Sequence, residues 1–238
     1  MTRPVFESGL PLAPMAFHIA TVEEADLPEL AMLSQMVWNH QPSTLLNHMF
    51  PADKHAEMYD YRLAWLRIAF KEDFVLHFKM VDLSSNTIVS YASWDVPRPA
   101  VPDGDASDDE SAKRPPKAMY PEGCNLAMIE EFYRERDRIA DSHVNKTQDY
   151  VLRVLFTHPG YQSRGLASMM LRRMLERIDA ERRRCYLEAT PAGYPLYLKF
   201  GWKVVDEVRT DLAKYGAKDA PVELTPCMMR DASSLLPK

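Results

Sequence analysis

Residues 155 to 170 read LFTHPGYQSRGLASMM, and within them Gln162, Ser163, Arg164, Gly165, Leu166, Ala167 and Ser168 have the types and spacing to hold an anion on backbone amides. An apolar strand would run into a short turn there, and a helix would open at the glycine. Without a Cβ, Gly165 lets the chain come close to a ligand. The first amides of the helix have no intrahelical acceptor and point outward with the positive end of the helix dipole behind them. Arg164 adds a cation suited to phosphate. The spacing is neither that of a P-loop, which needs glycines at both ends of a longer loop and a Lys-Ser/Thr pair, nor that of a Rossmann turn, which needs three glycines.

A second segment, CYLEATPAGYPLYLKFGWKVV from Cys185 to Val205, reads as a short strand, a turn at Thr190-Pro191, a short helix, and an aromatic-led strand after Gly201. The order Gln-x-x-Gly-x-Ala after a strand, followed by Leu196-Tyr197-Leu198-Lys199-Phe200-Gly201-Trp202, resembles the two signature motifs of the GNAT (GCN5-related N-acetyltransferase) superfamily. The resemblance covers about residues 150 to 210 by motif and the rest by order of elements.

What the resemblance implies is a mixed, mostly antiparallel α/β sheet with helices on both faces. The strands ending near Thr157 and Ala189 would splay apart. Acetyl-CoA would be the cosubstrate, with its pyrophosphate on residues 162 to 168. Its pantetheine arm would run along Leu155, Phe156 and Thr157, and Thr190, Tyr194 and Tyr197 would lie beside it. Tyr197 would be the general acid for the departing thiolate, with Tyr194 as the alternative, and the Leu155 amide would polarise the carbonyl. No metal is implied. A carboxylate eleven residues before Gln162 would be the base in histone-modifying relatives, but that position is Val151. Glu130 and Glu131 are put forward instead, with Asp149 and Glu188 as further candidates.

The elements that must position these groups are readable along the chain. A strand at Phe17 to Ala20 leads to a capping-box start at Thr21 to Glu24 and a helix with Leu27, Leu30 and Ala31 on one face. Asn39 to Pro51 reads as a loop, Met58 to Ile68 as a second amphipathic helix, and Phe74 to Val81 with Thr87 to Trp94 as a hairpin. Ala167, Met170, Leu171, Met174, Leu175 and Ile178 give the cradle helix a 3.6-residue apolar stripe. Trp202 to Val208 and Val222 to Met229 are the expected last strands.

One domain, 1–238, is expected, with two elaborations. Residues 97–117, rich in Pro, Asp and Ser, read as a disordered loop. Residues 118–148 read as a helical insertion on the acceptor side, an arrangement resembling fungal small-molecule acetyltransferases.

Composition sets the outer bounds. With 238 residues, 46% hydrophobic, 26% charged and net charge −5, the chain is an ordinary globular one without excess cations for nucleic acid. Three scattered cysteines make neither a disulfide framework nor a metal site. No run reaches the roughly 18 apolar residues of a membrane span. The expectation is a cytoplasmic or nuclear monomer or homodimer acting on a small-molecule amine, with neither nucleic acid nor membrane as partner. A protein lysine or N-terminus as acceptor, or CoA binding without transfer, are the other readings.

Overall fold

The computed structural model describes residues 16–40, 43–99, 114–217, 220 and 222–232. Seven strands, β1 (Phe17–Thr21), β2 (Val75–Asp82), β3 (Thr87–Asp95), β4 (Tyr150–Thr157), β5 (Cys185–Glu188), β6 (Lys203–Asp211) and β7 (Val222–Arg230), form one sheet in the order β1-β2-β3-β4-β5-β7-β6. Every neighbouring pair is antiparallel except β4 with β5. This is the mixed, mostly antiparallel sheet expected from the sequence.

Helices cover both faces because the strands alternate apolar side chains to each. On one face α5 (Leu166–Ala180) buries Met170, Leu171, Met174 and Ile178 against Trp94, Leu152, Cys185 and Leu187. On the other, α1 (Leu27–His40) and α3 (Tyr59–Phe70) pack Leu30, Leu33 and Leu66 over Ile88 and Tyr91. The insertion helix α4 (Leu126–His143) continues that second layer, with Ile139 over Tyr186, Val208 and Cys227. Asn125 starts α4 by accepting the Met128 N–H at 3.1 Å, which satisfies one orphan donor of the first turn.

Two local readings of the sequence are corrected, and a third lies largely outside the described residues. The capping box lies two residues later, where the Asp26 carboxylate accepts the Glu23 N–H at 2.7 Å and a 3-10 turn at Glu24–Asp26 precedes α1. The expected loop from Asn39 to Pro51 contains α2 (Thr44–Met49), started by Ser43, whose hydroxyl accepts the Leu46 N–H, and held by burial of Met49 and Phe50. Of the expected loop 97–117, residues 100–113 lie outside the described residues, and Lys117–Met119 is a 3-10 turn. No helix among the described residues is long and apolar enough to cross a membrane.

Candidate active site

The junction of β4 and β5 organises the site. The two strands pair only at Tyr150 with Cys185 and Val151 with Tyr186. Beyond that vertex β5 stays with β7, the Ala189 N–H reaching the Pro226 carbonyl, while β4 stays with β3. The edge of β4 from Leu152 onward therefore faces a slot. An ion pair closes the vertex: Arg184 donates to the buried Asp149 carboxylate at 2.6 and 3.1 Å.

A bulge turns β4 within this stretch. Ser93 pairs with Val154 and Trp94 with Leu152, so Arg153 is the extra residue. Alternation of backbone groups then fixes which residues meet the slot. The His158 N–H bonds to the Val89 carbonyl on β3, so Phe156, two residues earlier, also faces β3, and its carbonyl accepts from the Ser90 hydroxyl. Leu155 and Thr157 face the other way. The Thr157 carbonyl is already taken by the Gln162 side chain at 3.2 Å. Leu155 is thus left with its amide and carbonyl toward the slot, and Phe156, expected beside it, turns its backbone away.

At the end of β4 the chain forms an exposed turn with left-handed backbone at Ser163 (φ 60°) and Gly165 (φ 80°). Gly165 is the cap of α5, and among the described residues no protein group accepts the N–H groups of Leu166, Ala167 or Ser168. A Cβ placed on Gly165 would meet no atom beyond its chain neighbours within 4 Å, so the space beside this cap is open. This is an anion-binding concavity of backbone donors. The Gln162 and Arg164 side chains brace the turn that presents it. Arg164 donates to the Gly160 carbonyl at 3.1 Å and lies over the Tyr161 ring.

Across the slot, Thr190 accepts the Gly193 N–H and starts the turn into α6 (Tyr194–Lys199). Tyr194 is half-buried. Tyr197 is 7% exposed, edge-on to Trp202 at 5.8 Å, and its hydroxyl takes no hydrogen bond among the described residues. Burial pushes its pKa well above the ordinary tyrosine value. A Cβ on Gly193 would stand 2.8 Å from the Tyr197 ring, so the glycine makes room for the ring's position.

On the opposite face, where β4 and β5 part between α3 and α4, lies a cleft of about 450 Å³. Val151, Arg153 and Glu188 form its floor, the end of α3 one wall, and Tyr133, Arg136, Asp137 and Val144 of α4 the other. Arg153 bonds both oxygens of Glu72 at 2.6 and 2.8 Å and also pairs with Asp95. Asp137 pairs with Arg114 and Arg136, whose guanidinium groups flank the Tyr133 ring at 4.3 and 4.7 Å. Glu188 makes no ion pair among the described residues. Its carboxyl is raised above the ordinary glutamate value chiefly by burial, with the nearby Arg136 charge opposing.

The candidate carboxylates fare differently. Glu130 is exposed on α4 and pairs with Lys117. Glu131 accepts from the Tyr215 hydroxyl at 2.6 Å and from Lys214 at 3.1 Å, bracing the turn after β6. Neither lines the cleft. Asp149 is committed to Arg184, which leaves Glu188 as the candidate the fold brings to the slot. Arg153, Arg136 and Asp137 were not singled out from sequence, although an arginine in the middle of the apolar run of β4 was a visible signal. No group of His, Cys, Asp and Glu among the described residues could hold a metal ion.

Residues 107–212 match the family model of the acetyltransferase (GNAT) domain. No curated protein matches the chain in sequence. Solved structures share its fold. The C-terminal condensation domain of Ebony, in complex with beta-alanyl-dopamine, is 12% identical with a TM-score of 0.60, covering 90% of this chain and 98% of its own. A histone acetyltransferase HPA2 and related acetyltransferase from Corynebacterium glutamicum is 15% identical with a TM-score of 0.56, covering 92% and 98%. The PaiA N-acetyltransferase of Thermoplasma acidophilum, in complex with coenzyme A, is 13% identical with a TM-score of 0.50, covering 91% and 99%.

Proposed function

For a chain that carries a GNAT acetyltransferase domain at residues 107–212 in the GNAT fold, we propose transfer of an acetyl group from acetyl-CoA to the amine of a small molecule. The observation that carries the reading is the cleft of about 450 Å³ at the parting of β4 and β5, with the half-buried, unpaired Glu188 on its floor. Its size lies within the roughly 300–1,000 Å³ of small-molecule pockets. That a solved relative was captured with coenzyme A supports the donor.

In this proposal the α5 amides hold the pyrophosphate and the Leu155 carbonyl accepts from a pantetheine N–H as in an added strand, which leaves the Leu155 N–H free. The acceptor enters the cleft as an ammonium and gives one proton to Glu188. Both partners' pKa values move toward each other there, because burial raises the carboxyl and an apolar wall lowers the ammonium. The neutral nitrogen attacks the thioester carbon, and the Leu155 N–H meets the developing oxyanion. As the intermediate collapses, the C–S bond breaks, Tyr197 gives its proton to the thiolate, and the nitrogen's second proton restores the tyrosine. A buried tyrosine is a weak acid, but the same burial raises the thiolate's proton affinity, so the transfer is not fought by the full difference.

The test is a panel of amines with acetyl-CoA and a free-thiol readout. Amine-dependent thiol release with a matching acetylated product is expected, and release that no amine stimulates would sink the proposal. Within it, Tyr197→Phe is expected to lower kcat by roughly 10- to 1000-fold while the rise in Tm with CoA is kept. Loss of the CoA response as well would reassign Tyr197 to packing against Trp202.

A further inference from the structure

The charge on the cleft walls specifies the acceptor beyond its amine. Resting on the transfer reading above, we infer that the acceptor is a monoamine with an apolar body and that the cleft discriminates against diamines and polyamines.

Apart from Asp73 and Glu188, the carboxylates that line the cleft are balanced as a set by the cations paired with them. Glu72 and Asp95 hold Arg153, Asp137 holds Arg114 and Arg136, Asp141 pairs with Lys146, and Asp149 pairs with Arg184. Asp73 stands exposed in the turn after α3, where water screens it. Glu188 is what remains inside, a single carboxylate for a single ammonium.

Apolar surface makes up the rest of the interior. Trp65, Val75, Val96, Tyr133, Val144 and Val151 all face the same space. A second ammonium a few methylenes from the first would lie against this surface or beside Arg153 and Arg136. The first position strips its hydration without a partner, and the second sets like charges together. An alkyl or aryl group in the same place gains from leaving water. The paired arginines thus act as exclusion devices: their ion pairs remove the anionic sites that a polycation would need.

The experiment compares hexylamine with 1,6-diaminohexane, and phenethylamine with spermidine, on the full chain at fixed acetyl-CoA. Thiol release gives kcat/KM, and calorimetry on the CoA-loaded protein gives binding without turnover. In each pair the monoamine is expected to lead by at least about 10-fold in both readouts, the factor that one uncompensated polar or charged group costs. Glu188→Gln is expected to weaken hexylamine binding by about 10-fold with CoA binding unchanged. A diamine or spermidine that binds and turns over as well as its monoamine partner overturns the inference while the transfer reading stands. Monoamine preference in binding with no turnover for any amine supports the selectivity and overturns the transfer reading instead.

Discussion

Glu188→Gln is expected to lower kcat/KM for the acceptor by about 10²- to 10⁴-fold, the range of a positioned general base. The substitution keeps the shape of the side chain and removes its charge together with its capacity to take a proton. The pH profile separates this from a loss of packing. A base must be ionised to act, and burial raises the Glu188 carboxyl above the ordinary glutamate value, with Arg136 only partly offsetting it. As pH falls through that raised value the carboxylate is lost and kcat/KM falls with it, at a higher pH than for an exposed glutamate. In the glutamine variant this limb should disappear. A variant that keeps both the rate and the acid limb would show that water, and not Glu188, takes the proton.

Gly165→Val is expected to abolish binding of CoA and, with it, turnover. Two costs combine. The backbone at Gly165 has φ 80°, where a β-branched residue is strained by about 1–3 kcal/mol. The open volume before the α5 amides would also hold a branched side chain where the anion must sit. Because no protein atom lies within 4 Å of the new Cβ, the variant meets no clash in the folded protein beyond its own strained turn. The measurement is the rise in Tm on adding CoA, which follows from binding to the folded state alone. An unchanged rise would remove the pyrophosphate from this turn.

Much of this arrangement was legible in the chain because its signals are local. The stripe of Met170, Met174 and Ile178 describes α5 without reference to any other element, and Gly165 marks its start. The parting of β4 from β5 followed from motif order. The bulge at Arg153 did not, since a lone arginine within the apolar run from Tyr150 to Thr157 does not by itself show a bulge and the register is set by β3. Helix α2 was missed although Ser43 ahead of Leu45 and Met49 carries a cap signal, because the short segment earns its helix from burial of Met49 and Phe50 against other elements. The sequence puts Glu130 and Glu131 ahead of Glu188, an order that no local signal supports. What separates them is contact across the fold: Glu131 meets Tyr215, 84 residues away, and the half-buried Glu188 lies on the cleft floor that Arg136 of α4 also lines. Gln162 and Arg164 each make a side-chain hydrogen bond within the turn, contacts set by its course in space and not by spacing in the sequence.

The two layers on the sheet also set terms for change in this protein. The cradle belongs to α5 on one face, while the cleft is walled by α3 and α4 on the other, with the sheet between them. Drift at Tyr133, Ala140 or Val144 can retune what enters the cleft without disturbing a single donor to the nucleotide. Under the proposed function the insertion that brings α4 is a specificity cassette, and libraries confined to its cleft-facing positions, with the buried Met128, Ile129 and Ile139 left in place, are expected to change the amine while the acyl donor stays the same.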